Sequence, residues 1–454
     1  MKSSFLFLAA ALVFADVAGV LSAQAPQTAA SAYRFALPAT DEGLPGTGPL
    51  RRADWFRRIW NERRSTFADR KQQDRRALVF LGDSITQGWG DDFGGRFSGL
   101  KVANRGISGD TTRGVLLRLA EDVIALEPRG VVLLIGTNDI EEKAEPWAIA
   151  SNIRLIVDEL RQADAAMPVV ICEVLPSSAS MRRPQGTIRR LNQLIKEAVR
   201  DQPQVRVLDT WSLFANEQNE AKPEEFPDLL HLNPAGYDKW AAALRPVLAT
   251  LGFVETEPDR FSPEAGFVSL FNGRDLTGWG FRPTSAEDRE AARRWQVSDP
   301  HAAAWPIVAE ALAFDGQRAT PDGRFMAVHG RLVATLPEEH RRIQQLWTTQ
   351  EFGGDFVLRL EFRATPNADS GIYIRGPQLQ CRDYALAGPY RQLTKYRPLD
   401  WNEIEITVKG GVARATCNGE LLEEAMPVPA RGPIGVEGDR GQVEFRRIRI
   451  NTTP

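Results

Sequence analysis

A parallel α/β domain followed by an antiparallel β-sandwich is the architecture this sequence predicts. Up to about residue 250, short apolar strands alternate with helical segments whose apolar residues recur at spacings of three and four. From Phe267 onward the period becomes two, the mark of strands with one buried face. A length of 454 residues is also too great for one ordinary domain and makes the chain multidomain.

Lys2, an apolar run from Phe5 to Ala15 and small residues around Ala23-Gln24-Ala25 follow the order of a secretory signal peptide, assigned to residues 1–25. Asp16 interrupts the run short of the roughly 20 apolar residues that a spanning helix needs, so no membrane span is expected. Export to the periplasm or the extracellular space is therefore expected. Residues 26–50, rich in Ala, Pro, Gly and Thr without a sustained period, read as an exposed linker. The hydrophobic fraction of 43% and charged fraction of 25% are those of globular domains with sizeable cores. A net charge of −3 gives no electrostatic reason to expect nucleic acid as a partner. The three cysteines, Cys172, Cys381 and Cys417, are too sparse to staple the chain. Cys381 and Cys417 read as two separately buried thiols, with pairing as the alternative, and none has zinc-site spacing.

The first domain is assigned to residues 51–252. It opens on a charged helical segment studded with Trp55, Ile59 and Phe67. Strands are expected at Ala77–Leu81, Leu100–Ala103, Val131–Ile135, Val169–Leu175 and Val205–Leu208. Between them Ile149, Ile153, Ile156 and Leu160 share one helical face, and Leu191, Leu194, Ile195 and Val199 another. A last helix runs from about Pro234 to Leu251. Strands buried on both faces and separated by helices make a parallel sheet covered on each side. Chemistry in such sheets collects at the carboxyl ends of the strands.

Residues 253–264 read as a second linker and 265–454 as the second domain. Phe356, Leu358, Leu360 and Phe362 form one face of a strand, with Val357, Arg359, Glu361 and Arg363 on the other. Ile404, Ile406 and Val408 repeat the pattern. Asn418-Gly419 signals a tight hairpin. Val443 with Phe445, then Ile448 with Ile450, makes a final strand whose alternation slips by one residue, as a bulge would cause. The stretch Ala286–Thr320 departs from the alternation and reads as an inserted helix and loop.

Four loops carry candidate chemistry. Gly82-Asp83-Ser84-Ile85-Thr86 follows the first strand, Asn104-Arg105-Gly106-Ile107-Ser108-Gly109-Asp110 the second and Gly136-Thr137-Asn138-Asp139 the third, while Asp228-Leu229-Leu230-His231 precedes the last helix. A serine just past a strand usually does no more than cap a helix. Here one sheet edge would gather all four loops. Together they supply a nucleophile, a backbone N–H, a side-chain amide, an acid and an imidazole, the inventory of acyl transfer. His231 is the only histidine in the first 300 residues; His301, His329 and His340 belong to the second half. An imidazole-activated serine in this domain therefore has one available base, and Asp228 can turn back within the loop to orient it.

In these four blocks, which occur in order between roughly Trp55 and Leu251, the chain resembles the SGNH (GDSL) hydrolases and, among them, the platelet-activating-factor acetylhydrolase branch. The resemblance implies a flavodoxin-like α/β/α three-layer sandwich, with Ser84 as nucleophile, His231 as base and Asp228 as its orienting acid. It also implies an oxyanion hole formed by the N–H of Ser84, the N–H of Gly109 and the side chain of Asn138. Gly109 rather than Gly106 matches the family's second-block glycine, although close backbone approach alone would not separate the two. The chemistry needs no metal or other cofactor.

The segment Leu270-Phe271-Asn272-Gly273-Arg274-Asp275-Leu276-Thr277-Gly278-Trp279 is similar to the opening of the 3-keto-disaccharide hydrolase domain family, a concanavalin-like jelly roll. Leu360–Arg363, Asp369–Arg375, Trp401-Asn402 and Gly432-Pro433-Ile434-Gly435 extend the likeness. Where that family carries a Glu-x-Gln pair, this chain has Gln378-Leu379-Gln380, which removes a carboxylate useful to glycosidic catalysis and spares binding. Alternation sets Glu361, Tyr373 and Arg375 opposite their strands' apolar residues. With Gln380 they form the candidate sugar site, provided that face is the concave one.

The sequence thus reads as an exported serine esterase that removes acyl groups, acetyl above all, from carbohydrate or another small ester. The β-sandwich would recognise or process the glycan, an expectation drawn from domain partnership. The alternatives are a bifunctional esterase and glycoside (3-keto-sugar) hydrolase, an esterase with a non-catalytic glycan-binding module, and a short-chain lipid esterase.

Overall fold

The computed structural model describes residues 33–254, 259–299 and 306–452. The expected signal peptide, residues 26–32 and 255–258 of the two expected linkers, and His301 lie outside them.

The strands β1 (Leu78–Gly82), β2 (Val102–Gly106), β3 (Gly130–Leu134), β4 (Val169–Cys172) and β5 (Val205–Leu208) pair in parallel in the order β2-β1-β3-β4-β5. This is the flavodoxin-like order, whose switch point lies between β1 and β3. Alternate residues serve opposite layers. Val79, Leu81, Val131, Leu133 and Ile171 pack with the helices Thr112–Asp122, Pro146–Ala163 and Gln185–Val199. Phe80, Val132, Leu134 and Val170 pack with Trp240, Leu244 and Leu248 of the helix Pro234–Thr250. The three-layer α/β/α sandwich follows.

β1 and β3 are each displaced by one residue from the sequence pattern, and two strands differ from it more. β2 takes in Asn104-Arg105-Gly106, expected in a loop. These polar residues can occupy a buried strand because they are satisfied: the Asn104 amide donates to Thr86 O and Gly90 O at 3.0 Å, and Arg105 pairs with Asp74 at 2.8 Å. β4 stops at Cys172 because the Asn192 side chain takes over the Val174 backbone, accepting its N–H at 2.8 Å and donating to its carbonyl at 3.0 Å. The stretch 33–50 is largely exposed, as a linker would be, yet it is anchored on the first domain. Leu37 and Leu50 are buried with Phe56 and Trp60, and the Asn152 amide binds both the N–H and the carbonyl of Thr47.

The second domain's strands are β6 (Val268–Ser269), β7 (Trp279–Phe281), β8 (Leu312–Ala313), β9 (Phe325–Val328), β10 (Arg331–Ala334), β11 (Arg341–Thr348), β12 (Phe352–Gly353) and β13 (Phe356–Ala364). They continue as β14 (Gly371–Ile374), β15 (Gln378–Gln380), β16 (Asn402–Lys409), β17 (Val412–Cys417), β18 (Glu420–Pro427), β19 (Arg431–Gly432), β20 (Ile434–Arg440) and β21 (Val443–Asn451). One antiparallel sheet runs β18-β17-β16-β13-β21-β10-β9, with β6 added beside β21; the facing sheet runs β15-β14-β20-β11-β7-β8. Leu358, Leu360 and Phe362 from the first and Leu346, Ile372 and Val436 from the second share one core, so the domain is a β-sandwich. Asn418 and Gly419 have φ of 49° and 80°, as a two-residue hairpin between β17 and β18 requires. The slip in β21 is a bulge at Arg447, φ 54°, where the register against β13 shifts. The helix Ala286–Ser298 is the insertion. Asp259 and Glu264, expected in a linker, pair with Arg447 and Arg449 of β21. Cys172, Cys381 and Cys417 are free and buried. Among the described residues, no helix is long and apolar enough to cross a membrane, and no cluster of His, Cys, Asp or Glu could hold a metal ion.

Candidate active site

At the end of β1 the chain turns at once into the short helix Ser84–Gln87, capped by the Asp83 carboxylate, which accepts the Ile85 N–H at 2.9 Å. The turn sits tightly on its neighbours: a Cβ at Gly106 would lie 2.2 Å from the Gln87 nitrogen, so glycine is required where β2 passes beneath it. Ser84 Oγ lies 2.9 Å from Nε2 of His231, across 147 residues of sequence. On the other side of the ring, Nδ1 lies 2.7 Å from Oδ2 of Asp228. The second carboxylate oxygen accepts the N–H of His231 at 2.7 Å and of Leu230 at 3.0 Å, so the four-residue loop closes on its own acid. Ser177 Oγ anchors the loop by donating to Leu229 O at 2.8 Å. Burial pushes the Asp228 carboxyl up, but the hydrogen bonds from the His231 backbone, its ring and the Leu230 N–H outweigh it and hold the group below its ordinary value. An ionised Asp228 accepts from Nδ1–H, which leaves Nε2 to accept the Ser84 proton.

The two candidate glycines separate cleanly. Gly106 spends its N–H on Asn104 Oδ1 at 2.8 Å. Gly109, at φ +84°, has no acceptor for its N–H among the described residues. Its open face is backed by the Trp55 indole and the Arg51 guanidinium, where a Cβ would come within 2.6 and 3.0 Å. Asn138 is buried at 3% exposure, donates to Asp110 O at 2.9 Å and accepts from Arg183 at 3.1 Å. Arg118, wholly buried, joins the first two blocks by binding Asp110, Gly82 O and Arg105 O. Thr112 joins the second to the third through its N–H and hydroxyl on Asp139. Burial raises Asp83 to about 6 and Asp139 to about 7. The structure therefore brings Ser84, Gly109, Asn138, Asp228 and His231 to one edge of the sheet.

Residues 80–239 match the model of the GDSL-like lipase/acylhydrolase family, and residues 266–451 that of the 3-keto-alpha-glucoside-1,2-lyase-like domain. Platelet-activating factor acetylhydrolase IB subunit alpha1 of Bos taurus is 30% identical over 191 residues, covering 40% of this chain and 79% of that protein. The chain belongs to the GDSL acylhydrolases. The alpha2 subunit of Homo sapiens is 29% identical over 181 residues, 38% of this chain and 76% of that protein. A GDSL-like lipase from Bacteroides thetaiotaomicron, known from its crystal structure, is 26% identical, with a TM-score of 0.36 over 40% of this chain and 95% of its own. As a GDSL acylhydrolase the protein is a carboxylic ester hydrolase.

In the second domain of this acylhydrolase the expected sugar site needs correction. Glu361 lies on β13, in the other sheet from Tyr373, and its carboxylate is taken by Arg446 and Arg447. Arg375 lines a pocket with Gln345 and Trp347, but its guanidinium is engaged by Pro429 O and Gly354 O and lies over Phe356. Alternation places a residue on a face but does not say which sheet owns that face. The residue Tyr373 does meet is Glu437 of β20. Its buried carboxylate accepts from the Tyr373 hydroxyl, from Gln345 at 3.0 Å and from Gln378 at 2.8 Å. Gln380 adjoins the group through Gln378 at 3.1 Å, and the Trp347 ring lies 5.0 Å from that of Tyr373, tilted by 55°. Burial pushes Glu437 up to about 7. Glu437 was missed although alternation past Gly435 and Val436 points it outward from the core.

Proposed function

We propose that this acylhydrolase is an exported serine esterase that removes short acyl groups, acetyl above all, from carbohydrate. One observation carries the mechanism: His231 bridges Ser84 at 2.9 Å and Asp228 at 2.7 Å. His231 takes the Ser84 proton as Oγ attacks the ester carbonyl. The N–H groups of Ser84 and Gly109 and the Asn138 amide receive the oxyanion, and the alcohol leaves with the proton from His231. Water repeats the cycle and frees the acid. Support for carbohydrate comes from the domain fused to the esterase, which matches a family named for a keto-glucoside. Export rests on the order of charge, apolar run and small residues in 1–25.

A bifunctional reading gains a specific observation in Glu437, a buried carboxyl that accepts from Gln378 at 2.8 Å, beside the position where the chain lacks the Glu of a Glu-x-Gln pair. The test is acid release by the full chain from acetylated oligosaccharides, longer acyl esters and short-chain lipid esters, with Ser84→Ala as control. Preference for the acetylated sugars, lost in Ser84→Ala, is expected. Preference for the lipid esters would overturn the carbohydrate assignment, and glycan cleavage that survives Ser84→Ala but not Glu437→Gln would establish the second activity.

A further inference from the structure

We propose that Arg183 is a positioning residue of the oxyanion hole, acting through the Asn138 amide oxygen, and that Glu141 couples it to Arg51 behind Gly109. The inference rests on the reading of Asn138 as an oxyanion donor. An Asn side chain can present either its oxygen or its NH2 to a site, and only the NH2 stabilises an oxyanion. Two neighbours of opposite character force the choice here. The Asp110 carbonyl only accepts, and takes one amide N–H at 2.9 Å. The Arg183 guanidinium only donates, and lies 3.1 Å from the amide oxygen. A half-turn of the amide would set donor against donor and acceptor against acceptor, with both Asn138 and Arg183 buried. With one N–H committed to Asp110, the second remains for substrate.

Arg183 is itself held by the element it orders. Its Nε binds the Thr137 carbonyl at 3.2 Å and hydroxyl at 3.0 Å, and one terminal nitrogen binds Glu141 at 2.8 Å. Thr137 and Glu141 are the two ends of the short helix that carries Asn138. Glu141 also accepts from Arg51, the guanidinium that backs Gly109. The two donors that do not belong to the nucleophile are thus backed by two guanidinium groups sharing one carboxylate. Arg51 precedes residues 80–239, so the segment before the matched family region completes the hole. Donation into the amide oxygen also polarises the amide and makes its free N–H a stronger donor.

The test is a double-mutant cycle on the full chain, reading kcat and KM with p-nitrophenyl acetate. Asn138→Ala is expected to lower kcat about a hundredfold or more. Arg183→Lys is expected to lower kcat about tenfold with KM unchanged, because a misaimed donor is missed only in the transition state. In the Asn138→Ala background, Arg183→Lys should cost nothing further, since the amide it orients is gone. An equal loss in both backgrounds marks a merely structural residue and overturns the proposal, as does wild-type kcat in folded Arg183→Lys. Should that variant not fold, Glu141→Gln enters the same cycle, with an expected loss of about threefold that shrinks without Asn138 to the part exerted through Arg51 behind Gly109; no loss, or a fully additive one, overturns the proposal. Wild-type kcat in Asn138→Ala would instead sink the oxyanion reading beneath it.

Discussion

The two halves of the molecule each pair a carboxyl with a hydroxyl group, and they do it in opposite ways. At the esterase site Asp228 is half exposed, held below its ordinary value by donors from its own four-residue loop, and joined to Ser84 through an imidazole. On the sandwich, Glu437 is buried on a sheet face and pushed up to about 7, and its donors Tyr373, Gln345 and Gln378 come from three other strands. The first arrangement favours a negative charge and sets it against an imidazole ring. The second keeps a carboxyl whose charge is expensive and whose protonation changes near neutrality, a property suited to reading or releasing a polar ligand. A short polar loop makes a charge cheap, and a covered sheet face makes it costly.

The largest effect that would sharpen this contrast belongs to Ser84, the proposed nucleophile. Ser84→Ala should lower kcat about a millionfold, as loss of a triad serine does elsewhere, while leaving glycan binding unchanged. Substantial ester hydrolysis in that variant, with contaminating esterase excluded, would break the assignment of the first region. Next comes Asp228→Asn, expected to cost about ten-thousandfold in kcat because an amide cannot fix the ring tautomer that an ionised carboxylate fixes. On the sandwich, Glu437→Gln should weaken retention of acetylated oligosaccharide by about tenfold to a hundredfold, the usual worth of hydrogen bonds to a charged group. Glu361→Gln should leave it unchanged, since Glu361 serves Arg446 and Arg447 on the opposite sheet. Affinity electrophoresis of the full-length variants reads both, and the reverse order would move the proposed glycan surface to the opposite sheet.

The gathering of the candidate site was legible because acyl transfer needs particular residue types in loops, and loops after buried strands stand out. Ser84, Asn138, Asp228 and His231 each sit where a strand or a helix boundary is marked by glycine, asparagine or proline. What surrounds them was not legible. Arg51, Glu141 and Arg183 meet across 132 residues of sequence, and ion pairs of that kind leave no period to read. Strand ends shifted where side chains replaced backbone partners, as Asn192 does for Val174. In the sandwich, alternation identified the outward residues of β13, while sheet membership depended on long-range pairing. Glu361 was thus grouped with Tyr373, though Glu437 beside it in space, in the run Gly435-Val436-Glu437, follows the same rule.

The smallest effect tests the opposite signs of the two carboxyls. A folded-state value raised from 4.5 to about 7 means that Glu437 binds its proton more tightly in the folded chain. Its stabilising contribution is complete below the unfolded value and is lost as pH rises through 7. Asp228 runs the other way: its folded value lies below 3.8, so its contribution is present above that and is lost only in stronger acid. Between pH 5 and 8, Glu437 therefore titrates and Asp228 does not. The sandwich transition should fall over that interval in the wild type, and Glu437→Gln should shrink the fall by about 2 °C or more, as removal of a titration worth on the order of 1 kcal/mol would. Asp228→Asn should leave the slope unchanged. Scanning calorimetry of the full chain at the two pH values decides it, and an unchanged slope in Glu437→Gln would mean that the carboxyl stays ionised throughout, stabilised by its three donors more strongly than burial opposes it.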